Sequence, residues 1–238
     1  MGRAHEVRAA SMAKTAAKKT KLYSRFGKEL YMAAKAGVPD PEMNQSLKRK
    51  VAEAKANQVP ADVIKRAIDK AKGSDNESYD SVTYEGFGPG ASTFIVDCLT
   101  DNINRTIGAI KTCTNRVHAK LGVSGSVAHT YETVGLLSFT YADEETALDA
   151  LISADVEVTE LEIEDGLMNV YVIPTDFAKA QAAIEELIAE VQFEVCEITT
   201  FANEMVELNE EDKISFERLL AMLDDVDDVQ QVYHNVIL

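Results

Sequence analysis

The sequence predicts an α+β protein: an N-terminal three-helix domain followed by two α+β (ferredoxin-like) domains, the third inserted into the second. Three observations predict this class. Apolar residues recur every three to four positions through a Lys-rich first third, the period of amphipathic helices. From residue 82 onward, β-rich runs alternate with helical segments. Finally, residues 134–201 read strand, helix, strand, strand, helix, strand, the order of a ferredoxin-like unit. The segment after it is too small to stand alone, so it completes the unit begun near residue 80. The expected domains are residues 1–76, residues 77–132 with 203–238, and the insert 133–202.

In the first third, Leu22, Phe26 and Leu30 lie four apart, with Tyr23 and Tyr31 beside them, predicting a helix over 14–36 that Gly37 ends. Asp40 is the expected N-cap of the second helix and Pro41 its first helical position. Met43, Leu47, Val51 and Ala54 form its apolar stripe. A third helix starts near Pro60, buries Ile64, Ala67, Ile68 and Ala71, and stops at Gly73.

Farther on, Val82–Tyr84 and Thr93–Val96 read as a hairpin. The intervening Glu85-Gly86-Phe87-Gly88-Pro89-Gly90 lacks the spacing of a phosphate-binding loop and reads as a turn requiring positive φ. A helix is expected from Ile103 to Leu121 and a strand from Ser126 to Tyr131. In the insert, the expected elements are Leu136–Tyr141, Glu144–Ser153, Val156–Ile163, Met168–Ile173, Phe177–Ala189 and Phe193–Thr199. A short strand near Val206, a helix from Glu210 to Leu223 and a strand Val229–Val236 close the chain.

Charge divides the molecule more sharply than structure does. Residues 1–72 hold 17 Lys and Arg against 7 Asp and Glu, a net of +10, whereas the remainder holds 7 against 33, a net of −26. A basic arm on an acidic body points to a polyanion met in one orientation, because phosphate repels the acidic part. The candidate nucleic-acid-binding residues are Arg3, Arg8, Lys14, Lys18, Lys19, Lys21, Arg25, Lys48, Arg49, Lys65, Arg66 and Lys70, with Arg105 from the second domain. No zinc finger, RNP motif or zipper is present. Cys98, Cys113 and Cys196 have neither disulfide-framework nor metal-site spacing, and read as free thiols of a reducing, cytoplasmic compartment. Asp224-Asp225-Val226-Asp227-Asp228 lacks EF-hand spacing and reads as a solvated acidic loop. Gly122-Val123-Ser124-Gly125-Ser126 misses the nucleophile-elbow pattern by its last residue. No catalytic residues, metal site or cofactor are expected, and no membrane span or secretory leader is visible.

Several stretches make the chain similar to a known family along essentially its whole length. They are Met1-Gly2-Arg3; Ala33-Ala34-Lys35-Ala36-Gly37-Val38-Pro39-Asp40-Pro41-Glu42; Val59-Pro60 with Arg66-Ala67-Ile68-Asp69-Lys70-Ala71; Tyr84-Glu85-Gly86-Phe87-Gly88-Pro89 with Thr100-Asp101-Asn102-Ile103-Asn104-Arg105-Thr106; and Asp227-Asp228-Val229-Gln230-Gln231-Val232-Tyr233-His234-Asn235-Val236. On these the chain resembles the YebC/PmpR family. The resemblance implies the same three-domain layout, no established catalytic residues, and a DNA-binding role in transcription regulation. The alternative it carries is a ribosome-associated translation factor that binds rRNA and relieves stalling on proline-rich stretches. One departure is visible: where the family often has a Gly-Gly pair after the second-domain helix, this chain has His118-Ala119, which predicts a differently shaped loop.

Overall fold

Three helices lead the computed structural model, which describes residues 19–73 and 78–238. They are α1 (Lys19–Lys35), α2 (Gln45–Ala56) and α3 (Ala61–Lys72). The chain continues through β1 (Asp80–Phe87), β2 (Thr93–Thr100), α4 (Ile103–Arg116), β3 (Lys120–Leu121), β4 (Tyr131–Phe139), α5 (Glu144–Ser153), β5 (Val158–Glu164), β6 (Leu167–Val172), α6 (Phe177–Leu187), β7 (Phe193–Ala202), α7 (Glu210–Asp224) and β8 (Val229–His234).

The helical core contains Phe26, Leu30, Tyr31 and Leu47, and α3 contributes Ile64, Ala67, Ile68 and Ala71, the stripe its periodicity predicts. Helix α2 begins later than expected. Its N-cap is Asn44, whose side-chain oxygen accepts from the Leu47 amide at 3.0 Å. The same side chain donates to the Ala33 and Val38 carbonyls at 2.8 and 3.0 Å, tying the helix start to the end of α1. An aspartate only accepts and cannot do both. Asp40 instead accepts from the Glu42 amide at 3.0 Å and closes a turn.

Strands β3-β1-β2-β8 form one sheet and β5-β6-β4-β7 the other. The second is the ferredoxin-like arrangement expected for the insert. The first reaches the same spatial order from a different chain order, with the strand that would come third placed at the front. Helices α4 and α7 pack on this sheet through Ile110, Cys113, Phe216, Leu219 and Leu223 against Phe94, Val96 and Cys98. In the insert, Leu151 of α5 with Phe177 and Ile184 of α6 cover Leu137, Phe139, Met168 and Val170. Contacts group residues 131–201 into one compact unit and the other described residues into a second. The chain leaves and re-enters the second unit at one place, where the Asn203 amide donates to the Thr130 carbonyl at 2.9 Å.

Two expectations fail between α4 and β4. The helix stops at Arg116 rather than Leu121, because His118 takes a left-handed φ of 56° and redirects the chain into β3. That backbone is one a glycine adopts without strain, so His118 holds a glycine-type turn. The segment Ser126–Tyr131 is not a strand: Ala128–Thr130 is a single 3-10 turn and β4 starts at Tyr131. The reason is Glu85, buried on β1. Its carboxylate accepts from the amides of Gly125, Val127 and Ala128, so those donors close on a side chain instead of a ladder. Burial alone would raise the Glu85 pKa; the three amide bonds outweigh it and lower the value.

The turn between β1 and β2 needs positive φ only at Gly90, with φ 62°. Gly86 serves a different purpose, since a Cβ there would strike the Phe94 ring.

Candidate nucleic-acid interface

Helical spacing puts three basic residues of α1 on one face. Lys21, Arg25 and Lys28 lie at i, i+4 and i+7. That face meets the acidic tract after α7. Arg25 pairs with the Asp224 carboxylate at 2.9 Å and also donates to its carbonyl at 3.3 Å. Helix α7 has no basic residue in its last turn, so Arg25 supplies from α1 the cation its negative end favours. Lys28 donates to Asp228 Oδ1 at 3.0 Å and to the Asp227 carbonyl at 3.1 Å. On the other side of Asp228, Oδ2 accepts from Arg105 at 2.7 Å and from Thr106 at 2.9 Å. Burial would raise the Asp228 pKa, but bonds from Arg105, Lys28 and Thr106 prevail and hold it at about 2. The tract expected to be a solvated loop is therefore the anchor of α1 and α4.

Lys21 has its ammonium buried with no hydrogen-bond partner among the described residues. Burial pushes its pKa down, and the nearby Asp224 charge opposes that shift. Lys50 lies between Glu29 and Glu53 at 2.8 Å from each and pins α2 to α1.

Of the candidate residues, Arg3, Arg8, Lys14 and Lys18 lie outside the described residues. Lys19, Lys48, Lys65, Arg66 and Lys70 are exposed and Arg49 is half-buried. Arg66 makes an exposed pair with Asp62 at 2.7 Å, which water and salt readily screen. Arg25, Lys28 and Lys50 are engaged with carboxylates inside the fold, and Arg105, itself exposed, bridges the exposed Asp101 and the buried Asp228. Residue spacing gives no hint of these pairings, because the partners of Arg25 and Lys28 lie some 199 and 200 positions away in the chain.

A second feature of the helical domain escaped the charge reading. Tyr23, Gly27 and Tyr31 line one face of α1, and Val63, Arg66 and Lys70 face them from α3 across an open groove of about 400 Å³ that Tyr79 also borders. Its only sequence signal is the four-residue spacing of tyrosine, glycine and tyrosine.

Among the described residues no cluster of His, Cys, Asp or Glu could hold a metal ion, and no helix is long and apolar enough to cross a membrane. Cys98, Cys113 and Cys196 form no disulfide. Burial, with Asp97 and Asp228 nearby, pushes the Cys98 thiol up to about 12, so it is not a nucleophile near neutral pH.

A helical domain bearing exposed cations, followed by a split α+β domain with a ferredoxin-like insert, defines the class: the chain belongs to the TACO1/YebC family. Residues 3–74 match the model of the TACO1/YebC protein N-terminal domain, and residues 79–236 that of the TACO1/YebC second and third domain. Among similar proteins, a probable transcriptional regulatory protein of Pseudoalteromonas translucida is 48% identical over 239 residues, covering 100% of this chain and 99% of that protein. One from Vibrio parahaemolyticus is 48% identical over 238 residues and covers both chains completely. The crystal structure of a conserved hypothetical protein, Aq1575 from Aquifex aeolicus, has a TM-score of 0.77 at 30% identity, covering 94% of this chain and 93% of that one.

Proposed function

We propose that this protein is a transcriptional regulator that binds duplex DNA through phosphate contacts from its helical domain. The supporting observation is a group of exposed cations on the helical domain: Lys19, Lys48 and Lys65, with Arg66 held only by an exposed pair to Asp62. Phosphate contacts of this kind position a protein on a duplex and dominate affinity. The name carried by the relatives, probable transcriptional regulatory protein, points the same way. Arg25 and Arg105 act in this scheme by fixing α1 and α4.

The test is duplex binding as a function of salt, followed by crosslinking in cells and sequencing. Log affinity should fall by about 0.9 per log salt for each phosphate neutralised. Lys48→Glu with Lys65→Glu should weaken binding alike across sequences and flatten that slope. Discrete promoter DNA recovered from cells supports the reading. A peak in ribosomal RNA instead would overturn it in favour of a ribosome-associated translation factor.

A further inference from the structure

We infer that the groove between α1 and α3 holds one unpaired nucleotide of a single-stranded nucleic-acid segment. The inference rests on the nucleic-acid-binding reading above and adds a site distinct from the lysines of α2. A nucleotide combines a flat π-system with an anionic phosphate, and the groove offers a partner for each. Tyr23 and Tyr79 are half-buried on its walls, and Tyr79 meets Tyr31 edge-to-face at 6.0 Å. Lys28, also paired with Asp228, lies 5.7 Å from the Tyr79 ring centre and Lys70 5.7 Å from that of the buried Tyr31, so cations stand beside the rings. Arg66 adds a guanidinium, and none of the lining residues is acidic. That composition matches single-strand grooves, where bases stack on aromatic rings and cations follow the backbone. A volume of about 400 Å³ also falls in the range of small-ligand sites.

Gly27 is the second, independent observation. It sits inside α1, where glycine is a poor helix former. A Cβ built there meets nothing within 4 Å. Close packing therefore does not require this glycine; what its small size does is keep the groove floor open. Bases in an intact duplex are stacked away from such a groove, so the occupant is an unpaired one.

The experiment measures binding of oligothymidylate, oligouridylate and duplex DNA to the full chain, to Gly27→Leu and to Gly27→Ala. The leucine, whose Cβ meets nothing within 4 Å, projects its bulk at the groove and favours the helix; circular dichroism verifies folding. Gly27→Leu should lose roughly tenfold or more in single-strand affinity while duplex binding holds, because no charge changes. Gly27→Ala should bind much as the parent does. The stronger of the two homopolymers identifies the strand as DNA or RNA. Photocrosslinks from an iodopyrimidine oligomer should land on Tyr23 or Tyr79. Equal single-strand binding by Gly27→Leu, or crosslinks elsewhere, would overturn the site. A parent protein that binds duplex but neither homopolymer also overturns it and leaves the duplex reading intact. Binding to none of the three would remove both.

Discussion

The two sheets share one spatial strand order, yet they bury different chemistry. Beneath the sheet of the insert lie mainly apolar side chains, and its buried polar residues are Ser138, Asn169 and Thr199. The sheet of the split domain surrounds Glu85, Thr100, Thr106, Asp228 and Asn235. Those groups do work at a distance. Glu85 shapes the segment before β4, Asn235 accepts from the Thr93 amide at 2.7 Å, and Asp228 joins α1 to α4. In the insert, buried polar groups bond within their own sheet, as the Ser138 hydroxyl donates to Asn169 Oδ1 at 2.7 Å; in the split domain they also form a polar bracket that fixes α1 and α4. The contrast makes the insert a separate packing unit.

The largest expected effect tests that separation. Phe177→Ala empties a fully buried site in the insert and should destabilise residues 131–201 by about 3–5 kcal/mol, seen as an earlier calorimetric transition. Duplex affinity of the folded protein should not move; a parallel loss of affinity would break the comparison. Next comes Asp228→Ala, which takes the carboxylate partner from Lys28, leaves Arg105 with Asp101 alone, and should cost about 3 kcal/mol in denaturant titrations. Hydrogen exchange should rise in α1 and at the start of α4, where a purely local defect would leave α1 protected.

Acid offers a gentler probe of the same bracket. Asp228 and Glu85 both have folded pKa values below their ordinary ones. Their stabilisation is therefore complete above the unfolded carboxylate range, near pH 4, and disappears as pH falls through the folded values. For Asp228 the loss should lie between about pH 4 and pH 2 and amount to about 1–2 kcal/mol, discounted for the exposed side of Arg105. Asp228→Asn should flatten this part of the stability profile. The smallest effect is expected at His118, where glycine relieves left-handed strain and should stabilise by about 0.5–1 kcal/mol in thermal melts.

Helix periodicity made much of this architecture legible. The buried stripe of α3 and the bounds of α5 follow from local pattern, since a 3.6-residue period needs no knowledge of the partner. The insert was readable because its six elements follow one another in the chain and pair with near neighbours. The split sheet was harder. Its β3 is two residues long, and a carboxylate 40 or more positions upstream decides the path of residues 125–128. Asn44 displaced Asp40 as a cap because an amide both donates and accepts, a distinction that a capping preference does not resolve. The candidate interface was visible as charge only. Which cations face solvent depends on carboxylates at the other end of the chain, and those meet α1 only in the folded molecule.

The split of the second domain around its insert also sets a timetable. Strand β2 pairs with β8 from Phe94 to Cys98, and α7 covers Phe94 and Val96 beneath it. Both late elements are synthesised only after the whole insert. At typical translation rates of about 5–20 residues per second, the open edge and apolar face of β2 wait roughly 5–30 seconds for their cover. During that interval α1 also lacks Asp224 and Asp228, so its cations have no internal partner there. The insert can fold meanwhile, and α1 meets its carboxylate partners only once Asp224 and Asp228 have been made.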